Sequence, residues 1–310
     1  MHMADALISP AVGGAMWAAT GVVVAYSSRR VRTDLDESKI PLMGVAGAFV
    51  FAAQMLNFAI PGTGSSGHLG GALLLAILLG PEAAFLVMAS VLAVQALFFA
   101  DGGLLALGCN IFNLGFFPAF VAYPLVYRRI VGTGPELRTG RVFTGAVLAA
   151  VVGLQLGALA VVLETTVSGV TDLPFSTFLL LMQPVHLAIG VVEGLVTAAV
   201  VLFVYRAEPE LLERTAARRS LRGLRLGPLV VAFAVAAVAA GVGLSRLAST
   251  RPDGLEWSIV GAESAAAPGA AASSGQSAAL VGALIVAAAI VLAGVVLHRR
   301  AARRRARAAG

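Results

Sequence analysis

The sequence predicts an all-α polytopic membrane protein of about nine transmembrane helices, with its amino terminus outside and its carboxy terminus in the cytoplasm. Three observations carry that prediction. Of 310 residues, 59% are hydrophobic and only 12% charged, which excludes an ordinary soluble domain. The apolar residues gather into long uninterrupted runs, and nearly all Lys and Arg lie in four short blocks between and after them. The blocks are Arg29, Arg30, Arg32 and Lys39; Arg128, Arg129, Arg138 and Arg141; Arg206, Arg214, Arg218, Arg219, Arg222 and Arg225; and Arg299 to Arg307. Only Arg246 and Arg251 fall elsewhere.

Crossing a hydrocarbon core of about 30 Å takes roughly 20 helical residues. Runs of that kind occupy residues 7–27, 40–60, 81–100, 104–127, 142–163, 176–205, 227–247 and 278–297. Peptide groups in lipid need internal partners, so these runs are expected as helices. The alternating ten-residue pattern of a β-barrel does not occur. A further apolar stretch, Leu69–Leu79, is short and stops at Gly80-Pro81. If it crosses, all four basic blocks share the cytoplasmic face; if it dips and returns, three of them land outside. Short basic loops stay cytoplasmic, which favours a short crossing. The net charge of +6 is therefore an orientation signal at an anionic leaflet rather than a nucleic-acid patch.

Residues 206–226 read as a cytoplasmic basic linker. It separates a unit at 1–205 from a helix pair at 227–310, whose Ala/Ser/Gly-rich stretch 248–277 reads as an extracytoplasmic loop. The first apolar run lacks a preceding basic region, so no cleavable signal peptide is expected. Cys109 is alone, which excludes an intrachain disulfide.

The start, Met1-His2-Met3, carries the sharpest chemistry. The α-amine, the amide nitrogen of His2 and its Nδ1 close a five-membered and a six-membered chelate ring on one ion. Three nitrogens then lie in a plane, and a second imidazole from the same face completes a square. Square-planar nitrogen ligation suits Ni(II) or Cu(II), and low-spin Co(II) also accepts it, whereas zinc prefers a tetrahedron. His68, in the glycine-rich segment Gly62 to His68, is the candidate fourth donor. The bulk of His2 favours retention of Met1. The glycines mimic a phosphate loop, but His68-Leu69 stands where Lys and Ser/Thr are required, which excludes that reading.

Within the spans, His186 and Glu193 lie seven apart and share a helix face. Gln54, Gln95, Asn110, Asn113, Gln155 and Gln183 are further polar groups there. They serve either as interhelical hydrogen-bond glue or as an ion path. A membrane-embedded metal-dependent enzyme using His186 and Glu193 is the alternative, although neither a HExxH motif nor a GxSxG elbow is present. Small-residue faces at Ala11, Ala15, Ala19 and at Gly44, Ala48, Ala52 allow close packing, internal or against a partner subunit.

These residues together resemble the CbiM/NikM family, the substrate-capture (S) components of cobalt and nickel energy-coupling-factor transporters. The resemblance rests on Met1-His2-Met3, on Gly67-His68-Leu69, on Asp101 through Asn110 and on Pro184 through Gly194, and it covers about residues 1–205. Pro252-Asp253-Gly254-Leu255-Glu256 is similar to the PDGLE motif of the small accessory subunit CbiN/NikN, so the chain looks like a fusion of the two. The resemblance implies metal held by Met1, His2 and His68. It also implies a CbiQ/NikQ-like transmembrane T component and CbiO/NikO-like ATPases that hydrolyse ATP in trans, so this chain is not itself an enzyme. It further implies a bacterial or archaeal cell (inner) membrane. No cofactor is expected; the ion is the transported substrate, nickel by the Gly67-His68-Leu69 context, with cobalt as the alternative.

Overall fold

The structure is a computed structural model that describes all residues except 34–36, 133, 135 and 267–310. Its helices are α1 (Pro10–Thr33), α2 (Lys39–Gln54), α3 (Ala72–Leu79), α4 (Pro81–Phe98), α5 (Leu107–Val131), α6 (Thr139–Ser168), α7 (Phe175–Ala207), α8 (Pro209–Ala216), α9 (Gly227–Gly243) and α10 (Gly254–Ala266). A two-residue hairpin, β1 (Phe58–Ala59) against β2 (Ser66–Gly67), is antiparallel, with Phe58 opposite Gly67 and Ala59 opposite Ser66.

Five helices, α1, α4, α5, α6 and α7, are long and apolar enough to cross a membrane. The other four expected spans fare differently. Two meet shorter apolar helices, α2 and α9, and one meets α3, which has 8 residues. The last, 278–297, lies outside the described residues, as does the fourth basic block.

Proline and glycine set several boundaries. Pro81 and Pro209 stand in the first turns of α4 and α8, where a missing N–H costs nothing. Gly80, with φ 89°, makes the reversal between α3 and α4 that L side chains resist. Inside α5 the chain is wound in wider turns around Pro118 and Pro124, which cannot donate to the helical ladder.

α6 and α7 pack closely because small residues let their backbones approach. Gly194 lies against the backbone of Val147, and Gly190 against that of Val151, so no side chain fits at either position. Every residue of α3 is buried, as expected of a helix that is apolar all round. α9 lies along α2, with the Phe49 and Phe233 rings 5.4 Å apart edge to face. Of the small-residue face on α2, Ala52 is buried close to Gly241 of α9, while Gly44 and Ala48 remain exposed.

The three described basic blocks gather at one end of the bundle. Arg218 pairs with Glu82 at 3.1 Å, and Arg128 donates to the Ala216 carbonyl at 3.0 Å. Arg32, Lys39, Arg218 and Arg219 line one cleft there. α4 starts at that end and runs roughly 27 Å to the loop that holds Asp101. α3 returns only about 12 Å of that distance. Residues 55–71, the hairpin among them, make up the difference as non-helical backbone, which is tolerated at depth only where protein surrounds it.

Candidate metal centre

The first three residues are tied down from Met3 onward. The Met3 N–H donates to Asn110 Oδ1 at 2.8 Å, and Asn110 Nδ2 donates back to the Met3 carbonyl at 3.1 Å. That carbonyl also accepts from Gly103 N at 2.9 Å. Gly102, at φ 90°, brings the loop against His2 and Asn110, and a side chain there would strike Asn110 Nδ2. Asp5 fixes the same loop from the other side by accepting from Ala106 N at 3.0 Å. Met1 and Met3 are buried as a result, at 4% and 0% exposure.

The second half of the site hangs on Glu193. Its carboxylate accepts from Gly70 N at 2.8 Å and Gly71 N at 3.1 Å, meeting orphan donors at the start of α3 where the helix dipole favours negative charge. Gln54 Nε2 donates to the Gly70 carbonyl at 2.7 Å, and Gln95 Nε2 donates to Gln54 Oε1 at 2.8 Å. Gly67 packs directly on Ile189. These contacts leave His68 few ways to move.

The two halves meet at the amino terminus. The Met1 amine lies 3.5 Å from His68 Nε2. The His68 Nδ1–H donates to its neighbour's carbonyl, Leu69 O, at 3.1 Å, which leaves the Nε2 lone pair facing the amine. Burial, then the amine and His2, push the His68 imidazole down to about 3, so it is neutral at physiological pH. The His2 and His68 rings stack at 4.9 Å with 8° between their planes. Met1, His2 and His68, the three residues singled out from the sequence, thus occupy one cluster.

One detail differs from the planar chelate drawn from ring sizes. His2 Nδ1 contacts Asp101 Oδ1 at 2.9 Å, while its Nε2 is buried without a partner. A carboxylate is the strongest acceptor within the ring's reach, so the ring must turn about Cβ–Cγ before Nδ1 can join the amine and amide on an ion. Burial works to raise Asp101, but the hydrogen bond and charge of His2 outweigh it and hold the carboxyl below its usual value.

Sequence reasoning missed a third contributor. Within the stretch 248–277, expected as an extracytoplasmic loop, Gly254–Ala266 is helical and packs on α7. Asp253 caps that helix, its Oδ1 accepting from Leu255 N and Glu256 N at 2.8 Å each. Its Oδ2 lies 3.7 Å from the Met1 amine. Burial opposes its ionisation, but the amine's charge prevails and holds Asp253 well below the usual carboxylate range. The segment is stitched to the hairpin by Ser66, whose N–H donates to the Pro252 carbonyl at 2.8 Å and whose hydroxyl donates to the Arg251 carbonyl at 2.8 Å. The D-G-L-E pattern at 253–256 is a legible cap; its docking on a distant chain end is not.

His186 and Glu193 share α7 but turn to different tasks. Glu193 holds the Gly70–Gly71 amides, and His186 Nδ1–H donates to the Met182 carbonyl at 2.8 Å. They do not form a joint acid–base pair. Gln155 and Gln183 bond across α6 and α7 as interhelical glue. Glu164, overlooked in the sequence, accepts from Asn113 Nδ2 at 2.8 Å and lies beside Cys109, which is buried apart from the histidines. Among the described residues no group of three or more His, Cys, Asp or Glu side chains is arranged to hold an ion by itself, so a centre here depends on the backbone terminus.

Fold and site define a multi-pass membrane protein that buries its own amino terminus against two imidazoles and two carboxylates. The chain belongs to the CbiM family, described as the cobalt uptake substrate-specific transmembrane region, which matches residues 2–211, and it carries a PDGLE domain over residues 227–277. A putative fused nickel transport protein NikMN of Archaeoglobus fulgidus is 37% identical over 217 residues, 70% of this chain and 70% of that protein. The fused nickel transport protein NikMN of Rhodobacter capsulatus is 35% identical over 259 residues, 78% of this chain and 74% of its own. A cobalt transport protein CbiM of Sorangium cellulosum is 31% identical, covering 74% of this chain and 99% of that one. A crystal structure of a transition metal transporter superposes with a TM-score of 0.60 at 32% identity, covering 72% of this chain and all of that one. The chain is thus a member of a nickel/cobalt transporter family, a transport protein rather than an enzyme.

Proposed function

We propose that the chain is the substrate-binding membrane subunit of an energy-coupling-factor transporter that imports Ni(II). The ion is taken by the Met1 amine, the His2 amide nitrogen and Nδ1, and His68 Nε2. The observation that carries this is the buried Met1 amine facing the free lone pair of His68, with the His2 ring stacked alongside. Nitrogen donors in one plane suit Ni(II). The names of the two fused relatives favour nickel. Cobalt import by the same mechanism is the second reading, favoured by the family description and by the Sorangium relative.

In this reading the metal end of the bundle is extracytoplasmic and the basic end cytoplasmic, in a nine-span chain of the cell (inner) membrane. A T component and two ATPases dock from the basic side. Residues 1–205 form the S component, 206–226 the linker, and 227–310 the accessory unit, which covers the site from outside and assists loading. The test is the metal content and absorption spectrum of the purified chain without its partners. A yellow, diamagnetic Ni(II) form, lost in His2→Ala, is expected. A chain that takes up no metal unless its partners are present overturns the proposal.

A further inference from the structure

His186 has no part in the donor set above, yet it lines the same cavity. That cavity, of about 10 Å³, is bounded by Met1, His68, His186, Asp253 and Gly254 among others, and is at the lower edge of what one water needs. Only a bare ion or a single water fits such a space. A group facing it is therefore within reach of whatever the amine and His68 hold.

The His186 ring is set up as a donor. Its side chain is 1% exposed, and its Nδ1–H is committed to the Met182 carbonyl one helical turn away at 2.8 Å. The tautomer is thereby fixed and the Nε2 lone pair is free. Nε2 is buried and without a partner. A ring N–H anchored to a carbonyl while the other nitrogen stays open is the arrangement found behind metal-ligating histidines. The open edge points at the cavity: a Cβ on the lining residue Gly254 would sit 3.3 Å from His186 Cε1, the atom next to Nε2. Burying an acceptor unpaired costs about 1–3 kcal/mol, so a packing role alone leaves the orphan nitrogen unexplained.

Resting on the chelate reading above, we infer that His186 Nε2 is a further nitrogen donor to the captured ion, used by a five-coordinate metal such as Co(II) and little used by planar Ni(II). His186 would then set how far the site admits cobalt. Four nitrogens in a plane satisfy Ni(II), whereas Co(II) gains from a fifth.

The test loads the purified full chain and its His186→Ala variant with Ni(II) or Co(II) separately, without oxygen, and reads affinity and d–d absorption. Co(II) affinity is expected to fall at least tenfold in the variant, with its spectrum moving to a four-coordinate form, while Ni(II) affinity changes less than threefold. Should the alanine variant fail to fold, His186→Gln keeps the bulk and offers an amide, and a changed Co(II) spectrum is expected there too. An identical Co(II) spectrum in a folded His186 variant, or equal losses for both ions, overturns the inference and leaves the chelate standing. Retention of both ions by His2→Ala overturns the chelate, and the inference with it.

Discussion

A pair of alanines placed ahead of Met1 is the most direct perturbation of this site. It converts the amine of Met1 into an amide and moves the free terminus two residues away, whereas a single residue would place His2 third and let the new amine build a chelate of its own. The structure leaves no room for the addition: Met1 is 4% exposed, and the adjoining cavity is about 10 Å³. On the measure by which one water needs about 10–15 Å³, that space takes a single water and no residue. Nor is there slack to retreat, because both polar backbone groups of Met3 are held by Asn110. If four nitrogens share binding free energy on the scale of about 10–16 kcal/mol, each carries about 3–4 kcal/mol. Loss of the amine then weakens Ni(II) binding by two to three orders of magnitude, at about 1.4 kcal/mol per decade. Isothermal titration of the purified chain in detergent reads that change, and a carboxy-terminal pair of alanines serves as the control. Binding by the amino-terminally extended chain within tenfold of the parent would refute the reasoning, since the free amine then lies too far along the chain to close a ring with the His2 amide and imidazole.

Two further outcomes follow from the supporting contacts. Glu193→Ala strands the buried Gly70 and Gly71 amides at the start of α3, and each buried donor left unsatisfied costs about 1–3 kcal/mol. Thermal unfolding in detergent should drop by several degrees, and a shift no larger than that of the exposed Glu210→Ala variant would contradict the role assigned to Glu193. Asp253→Asn preserves the helix cap, since Asn caps as well as Asp, but removes the negative charge 3.7 Å from the Met1 amine. Ni(II) affinity is expected to fall about tenfold, roughly 1.4 kcal/mol, with little change in unfolding temperature. Unchanged affinity would make Asp253 a cap and nothing more.

The features legible in the sequence are those with a local signature. Apolar runs of span length announce α1, α4, α5, α6 and α7 because lipid forces helices on such segments. His2 is legible because a chelate ring is a matter of bond counts near one terminus. His68 is legible because the placing of the basic blocks puts its glycine-rich segment on the same face as His2. The features that escaped depend on long-range packing. That α3 is short is legible from the Leu69–Leu79 run, but the hairpin that precedes it is not. Asp101 and Asp253 reach the site from positions 99 and 252 residues beyond the groups they touch, His2 and Met1. Gly190 and Gly194 carry a small-xxx-small signal that marks the α6–α7 seam, but their neighbour His186 draws attention first.

On the proposed reading, use of the chain end as a ligand constrains the rest of the molecule. An α-amine occurs once per chain and is the point where fraying begins, so a site built on it needs a clamp immediately downstream. Asn110 supplies that clamp at Met3, leaving only Met1 and His2 free to rearrange. A two-residue arm cannot shield its own ion from water, and the hairpin that carries His68 is pinned from below by Glu193 rather than from above. Cover must therefore come from elsewhere. Arg251 to Gly254 provide it, bonded to Ser66 on one side and facing the Met1 amine through Asp253 on the other. Opening the site then requires breaking the Ser66 contacts and the amine–carboxylate pair. Metal entry, on that reading, is a local event at Arg251 to Gly254.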